Sequence, residues 1–368
     1  MAKIVFNNKD NAFFQSLKTS VDAYFRDNNI DKTGDWRLFI KTFVLWGGTI
    51  AIYLYLMLAP VPVLPAVFLC MLMGFLMAGI GFSVMHDANH GSYSNNTKLN
   101  DLLGMSANAL GVSSYLWKQK HNIIHHTYTN VDGIDDDIAK SPVIRQCDSQ
   151  KWVPAHKVQH LYMTFIYALS VIFWVFIMDF KKYFSKKIHT TEAWKMTPKN
   201  HIIFWATKLY YVTVFIILPI AVWGFWGWVA GFFLTNAALG ITLSFVFQLA
   251  HVVENTEFEH IPLDETKHLE TAWAQHQLKT TANFAMGNKF ISWFVGGLNY
   301  QVEHHLFPKV SHIHYPEISK IVIAKCKEFN LPYNRYATLS EAVASHFRVM
   351  KRLGNKPEEA VMLSQAAA

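Results

Sequence analysis

Long apolar segments separated by polar ones predict a chain built around membrane-spanning helices. Apart from Lys41 and Lys208, four segments are apolar and long enough to cross a hydrocarbon core of about 30 Å: residues 38–58, 61–85, 202–222 and 225–250. Short turns join each pair, Ala59–Pro62 in the first and the aromatic run Trp223–Trp228 in the second. The basic N-terminal segment marks the cytoplasmic side. Each pair of crossings returns the chain to this side, so the long polar segments that follow the pairs are predicted to be cytoplasmic as well.

A fifth apolar segment, residues 161–178, is expected to lie in or dip into the cytoplasmic leaflet without crossing it. The lysine-rich loop that follows, residues 181–199, should stay cytoplasmic. If this segment crossed the membrane, the C-terminal histidines would lie on the opposite side from the other histidines. Residues 102–117 are shorter and contain two glycines, so they are predicted to be interfacial. Residues 1–37 predict an amphipathic segment, either on the membrane surface or in a soluble cap.

Composition agrees with a membrane protein. Hydrophobic residues make up 52% of the 368 residues, aromatic residues 15% and charged residues only 16%. Because the apolar segments carry almost none of the net charge of +7, basic residues concentrate in loops and flanks, which suits phospholipid headgroups better than nucleic acid. Cys70, Cys147 and Cys326 lack the paired spacing of a disulfide framework or a zinc ribbon.

Histidines cluster in the polar segments on the predicted cytoplasmic side. His86 and His90 follow the second span, and their interval of four puts them on one helical face. The run His121-Asn-Ile-Ile-His125-His126 repeats this interval. On an α-helix His121 and His125 share a face, whereas His126 lies about 100° further round. Both groups therefore predict metal ligands.

Two further groups complete the set. His251 ends the predicted fourth span as His86 ends the second. Gln301 and His304 are three residues apart on one helical face, and His305 follows directly. Together these groups offer eight imidazoles and one weaker amide ligand, too many for one four-coordinate zinc ion but suited to two iron ions. Iron together with dioxygen can remove hydrogen from an unactivated C–H bond, a reaction for which no amino-acid side chain suffices.

The three motifs HDANH, HNIIHH and QVEHH resemble the histidine boxes of the membrane fatty acid desaturases, in order and in separation. The resemblance covers residues 38–325. The third box, within GGLNYQVEHHLFP, and the run WAQHQLKTTAN upstream of it look like the front-end subgroup, which acts between an existing double bond and the carboxyl end.

This resemblance implies an all-α polytopic membrane enzyme with four transmembrane helices and a cytoplasmic helical cap that holds a di-iron centre. It implies a cis double bond introduced into an acyl-CoA or acyl-lipid, with O2 as co-substrate. The implied metal ligands are His86, His90, His121, His125, His126, His251, Gln301, His304 and His305. Neither terminus carries the HPGG motif of a fused cytochrome b5 domain, so a separate donor of the cytochrome b5 or ferredoxin type is expected. The implied domains are 1–37, an N-terminal cytoplasmic segment, 38–325, the desaturase domain, and 326–368, a C-terminal cytoplasmic tail.

Four alternatives remain open at this point. A related di-iron membrane hydroxylase or a sphingolipid desaturase would share the histidines. A zinc-dependent membrane hydrolase needs about three histidines and a carboxylate, which leaves most of the eight without a role. An inert membrane scaffold would use none of them. The acidic segment Thr129–Asp137 is predicted to accept imidazole N–H bonds, and His312 and His314 are candidates for orienting ligands.

Overall fold

The computed structural model describes residues 3–7, 11–139, 142–261 and 266–357. Its α-helices, in chain order α1 to α16, are Ala12–Asp27, Trp36–Leu58, Val63–Ile80, His86–His90, Thr97–Gly104, Ser106–Ala109, Ser114–Lys118, Gln159–Phe173, Asp179–Ser185, Pro198–Val212, Leu218–His251, Trp273–Thr280, Lys289–Phe294, Gln301–Leu306, Tyr315–Glu328 and Leu339–Gly354. Four π-helical stretches connect some of them: Gly81–Met85, Gln119–His125, Trp174–Met178 and Thr213–Ile217. Two 3₁₀ turns, Pro154–Val158 and His312–His314, precede α8 and α15.

Short strands tie distant loops together. In chain order β1 to β8 they are Lys3–Phe6, Val131–Asp132, Lys187–Ile188, Thr191–Glu192, Glu259–His260, Thr266–Leu269, Asn283–Phe284 and Arg335–Tyr336. They form four two-stranded pairs, β1 with β6, β2 with β5, β3 with β4 and β7 with β8. The β3–β4 pair is antiparallel and the others are parallel. The fold is therefore helical, as predicted.

Within the described residues, four continuous helical stretches are long and apolar enough to cross a membrane: Trp36–Leu58, Val63–His90, Pro154–Ser185 and Pro198–His251. The last stretch contains both members of the predicted second pair. Its helix breaks at Gly224, whose φ of 70° and ψ of 171° are not helical. Tyr211 and Asn236, from opposite sides of that break, lie 3.4 Å apart through Oη and Oδ1. The chain therefore doubles back there as a hairpin.

The stretch Pro154–Ser185 contains the segment that was predicted not to cross. By length and composition it is one of the four candidate spans. Both of its ends contact the segment that follows the second histidine group: Tyr162 Oη donates to the carbonyl of Val143, and Lys182 Nζ lies 2.5 Å from Asp136 Oδ2. These contacts favour a helix that lies along the histidine-bearing side, and its depth in the leaflet stays a prediction.

The segments outside the candidate spans form a helical cap. The amphipathic helix α1 buries Phe13, Leu17 and Val21 against cap residues such as Tyr300 and Ile318. Its apolar face is thus covered by the protein, which favours the soluble-cap alternative for this segment. Within the described part of the C-terminal region no further stretch is long and apolar enough to span. The predicted boundary after residue 325 falls inside α15, which continues to Glu328.

Candidate metal centre

The first histidine group is positioned by a change of helix type. The second span ends in the π-helical stretch Gly81–Met85, where the N–H of His86 donates to the carbonyl of Gly81. Widened turns of this kind are common at functional sites. The short helix α4 then presents His86 and His90, and Gly91 ends it in the left-handed conformation, with φ of 75°. Both imidazoles are buried.

The second group also lies in a π-helix, Gln119–His125, so the direction of His126 differs from the one expected on an α-helix. The N–H of His126 donates to the carbonyl of His121, an i to i+5 hydrogen bond. This wider turn brings residues five apart onto one face, whereas an α-helix aligns residues four apart. His125 and His126 therefore flank the direction of His121, and all three imidazoles point into the same buried cluster.

The remaining histidines arrive from two other elements. His251 is the last residue of α11, and His304 and His305 lie on α14. Within the described residues three groups of potential ligand atoms form, each with its atoms within 4.8 Å of one another. One of them, His121, His125 and Asp137, shares a histidine with each of the other two, which consist of histidines alone. We call these two the first ligand group, His86, His90, His121 and His304, and the second ligand group, His125, His251 and His305.

His126 lies between the two groups. Its ring centroid is 4.5 Å from that of His304 and 4.4 Å from that of His305. Its Nε2 lies 3.3 Å from Nε2 of His121, and Nε2 of His86 lies 3.1 Å from the same atom. All eight predicted histidines therefore come together: seven form the two neighbouring ligand groups, and His126 lies between them.

The donor set fits cations. Two ligand nitrogens bound at right angles to one ion, at about 2.1 Å each, would lie about 3 Å apart, close to the Nε2 separations observed. Several buried imidazole nitrogens also have no hydrogen-bond partner among the described residues: Nε2 of His90, His251, His304 and His305. Buried polar atoms without partners are costly, and a bound metal ion satisfies them.

The protonation state of most of these imidazoles suits metal binding. Burial lowers the pKa of His121, His126, His304 and His305 well below the usual value, and the neighbouring imidazoles add to the effect. These side chains are therefore neutral at physiological pH. A neutral imidazole offers one nitrogen lone pair, which is the form that binds a metal ion.

His125 is the exception, because it has a carboxylate partner. Burial by itself lowers its pKa, but Asp135 raises it above the usual value through charge and a hydrogen bond. His125 Nδ1 lies 3.0 Å from Asp135 Oδ2. The prediction that the acidic segment accepts an imidazole N–H is confirmed. Such a bond fixes the proton on Nδ1 and leaves Nε2 for the metal.

Other outer contacts come from residues that the sequence did not single out. His251 Nδ1 lies 3.2 Å from the carbonyl oxygen of Thr280, and His304 Nδ1 lies 3.1 Å from Tyr315 Oη. His312 does not touch a ligand imidazole in this way; its Nδ1 lies 2.9 Å from Asp87 Oδ2, between the two histidines of the first box. Thr280 belongs to the WAQHQLKTTAN run, and this run was the one feature of the sequence that could have pointed to it.

An apolar cavity ends at the first ligand group. Its walls come from the second span, α6, α8 and α11 and the residues between them, and they include His86 and Trp117 beside Met77, Leu110, Val112, Val171, Leu239, Leu243 and Phe247. The ring of Trp117 stacks on His121 with centroids 4.4 Å apart. The cavity therefore connects an apolar interior between the candidate spans with the metal-binding face.

Comparison with known proteins decides the family. A family model described as fatty acid desaturase matches residues 60–337. The chain belongs to the fatty acid desaturase family. This confirms the resemblance drawn from the histidine boxes, and with it the prediction of an oxidoreductase.

Relatives of this desaturase share most of its length. It is 35% identical over 363 residues to an sn-1 linoleoyl-lipid 6-desaturase of Arthrospira platensis, covering 97% of this chain and 96% of the relative. It is 35% identical over 356 residues to the protein of that name from Synechocystis, with 96% and 98% covered. An acyl-lipid (8-3)-desaturase of Physcomitrium patens is 36% identical over 349 residues, which cover 93% of this chain and 72% of that protein.

Two side chains of the third box, Gln301 and Glu303, are buried but are not imidazoles. Gln301 is buried at the start of α14, and neither of its amide atoms has a hydrogen-bond partner in the described structure. Its role as a ligand stays a prediction. Glu303, which the sequence analysis passed over, is fully buried and contacts Asn283 and Tyr333. Burial raises the pKa of Glu303 to about 7, although both hydrogen bonds oppose this.

Proposed function

We propose that this desaturase introduces a cis double bond into an acyl chain of a membrane lipid, on the carboxyl side of an existing double bond. The observation that carries the proposal is the pair of ligand groups at the end of an apolar cavity. The relatives named above as linoleoyl-lipid and acyl-lipid desaturases support a lipid-bound acyl chain as the substrate.

The metal is proposed to be iron, as two ions. His86, His90, His121 and His304 would hold one ion and His125, His251 and His305 the other, with His126 between them and Gln301 as a further candidate. When bound, iron and O2 supply the oxidising power that removes hydrogen from an unactivated C–H bond. Asp135, Thr280 and Tyr315 hold the imidazoles in orientation through Nδ1.

The overall reaction balances with O2, two electrons from a donor and two protons. Two adjacent methylenes lose one hydrogen atom each and become a double bond. One O2, two electrons from a donor and two protons then yield two water molecules together with those hydrogens. The walls of the cavity exclude water from the acyl chain, and their apolar side chains favour its burial.

The electrons are proposed to come from a separate small donor of the cytochrome b5 or ferredoxin type. The net charge of +7 supports an acidic partner on the cytoplasmic face. Purified desaturase in lipid vesicles should turn over with a reduced donor of this kind. Its rate should fall as salt is raised, because electrostatic steering is screened.

Product analysis tests the function. Expressed in a host that lacks the activity and is fed linoleate, the chain should yield a fatty acid with one further double bond, seen by gas chromatography and mass spectrometry. Separation of lipids from acyl-CoA after a short pulse of labelled linoleate should show the new product first in lipid. An oxygenated product alone would overturn desaturation in favour of a hydroxylase. One zinc and no iron per purified chain would overturn the hypothesis of an iron-dependent oxidation altogether.

A further inference from the structure

Helix α12 contributes no predicted ligand, yet it contacts residues from three of the ligand positions. Trp273 Nε1 donates to the carbonyl of His126 at 3.1 Å. Gln277 Oε1 lies 2.9 Å from Nδ1 of His305. The carbonyl of Thr280 lies 3.2 Å from Nδ1 of His251, as described above. The helix thus lies behind the second ligand group and touches two of its three imidazoles.

Gln277 is the side chain of α12 that touches a ligand imidazole directly. It is fully buried. Its Oε1 also lies 2.9 Å from Thr129 Oγ1, which in turn lies 2.7 Å from the carbonyl of His125. Thr129 Oγ1 is itself 3.2 Å from Nδ1 of His305, a longer contact than that of the Gln277 oxygen. Its Nε2 has no hydrogen-bond partner among the described residues. All the contacts of this amide therefore use its oxygen.

The amide oxygen of Gln277 is the shorter of two contacts to Nδ1 of His305, and unlike the hydroxyl of Thr129 it can only accept a hydrogen bond. His305 Nε2 has no hydrogen-bond partner in the described structure and belongs to the second ligand group. A neutral imidazole binds metal through the nitrogen without hydrogen, so the proton must be on Nδ1. The oxygen of Gln277 accepts that proton's hydrogen bond, whereas an NH2 group in its place would face an N–H or would favour the proton on Nε2.

We propose that Gln277 is a positioning residue that selects the metal-binding tautomer of His305 and thereby sets the affinity of the second ligand group for its ion. The inference rests on the proposed metal-dependent function. It concerns the second ligand group alone, because none of the first group's imidazoles is among the contacts of this amide. Loss of an outer partner of this kind typically weakens metal binding by about 10- to 100-fold.

The test measures metal binding without turnover. Purified metal-free desaturase is titrated anaerobically with Fe²⁺, and again with Co²⁺, whose visible absorption reports on coordination. The variants are Gln277→Met, which keeps the length but not the oxygen, and Gln277→Glu, which can only accept. The matched control is Gln159→Met, since Gln159 is equally buried but bonds to Arg145 and Met350.

The wild type should bind two ions per chain. Gln277→Met should bind one ion normally and the other about 10- to 100-fold more weakly, with a change confined to one part of the Co²⁺ spectrum. Gln277→Glu should restore the second ion, and Gln159→Met should bind both. The inference is overturned if Gln277→Met binds both ions as the wild type does, if it weakens both equally, or if Gln277→Glu is as weak as Gln277→Met. A wild type that binds no metal contradicts instead the proposed function.

Discussion

The two ligand groups differ in what surrounds them. Every imidazole of the second group has an outer partner on Nδ1, namely Asp135, Thr280 or Gln277. In the first group Nδ1 of His86 has no hydrogen-bond partner among the described residues, and His86 lines the apolar cavity. A ligand with a hydrogen-bonded outer partner is held in one orientation, whereas His86 lies beside an apolar cavity. Under the proposed function, the second group would act as a scaffold and His86 of the first group would face the substrate.

Removing a second-group ligand should have the largest effect. His251→Ala deletes one of three imidazoles in that group, and we expect desaturation to fall below about one hundredth of wild type, beyond the usual cost of losing an outer partner. Metal analysis should show one ion lost and one retained. His268, exposed on β6, provides the control, since His268→Ala should change neither quantity. Loss of both ions together would show that the groups are not separable.

The carboxylate behind His125 should come next. Both oxygens of Asp135 accept hydrogen bonds, Oδ2 from His125 and Asn130 and Oδ1 from the N–H of Asp137. In Asp135→Asn an NH2 group must face one of these donors, so we expect the second ion to bind about 10- to 100-fold more weakly. Iron titration measures this. The surface variant Asp148→Asn should leave the titration unchanged, and an unchanged Asp135→Asn would contradict the scaffold role.

The cavity predicts an intermediate effect that spares the metal. Val171 is only 3% exposed and lines the cavity. Val171→Phe should lower desaturation of linoleate on the order of 10-fold, because the added ring occupies space needed by the acyl chain. Iron content should stay at the wild-type level. Val63→Phe, at a position 78% exposed, is the matched control. Normal product formation by Val171→Phe would place the acyl chain elsewhere.

The smallest effect is expected at Tyr315. Its hydroxyl is the outer partner of His304 in the first group, at 3.1 Å from Nδ1. Tyr315→Phe removes one neutral hydrogen bond, so we expect the first ion to bind about 2- to 12-fold more weakly. The same titration, read on the ion that His251→Ala retains, measures it. An effect as large as that of Asp135→Asn would remove the difference between the two groups.

Much of the site could be predicted because its signals are local. Hydropathy located the apolar helices, and intervals of three and four residues marked His86 with His90 and Gln301 with His304. The geometry of the second box could not be predicted in this way. An i to i+5 hydrogen bond at His126 has no pattern in side-chain type. An α-helical interval therefore placed His126 about 100° further round the helix, although it was still predicted to be a ligand.

By itself the sequence determined the class of the protein: a helical membrane desaturase with more imidazoles than one ion needs. Only the tertiary structure decided how those imidazoles are grouped, which partners hold them, and where the apolar cavity meets them. The physical reason is distance along the chain. Span length and helical spacing depend on near neighbours, whereas the contact between Thr129 and Gln277 joins residues 148 positions apart. Such contacts are set by packing of the whole fold.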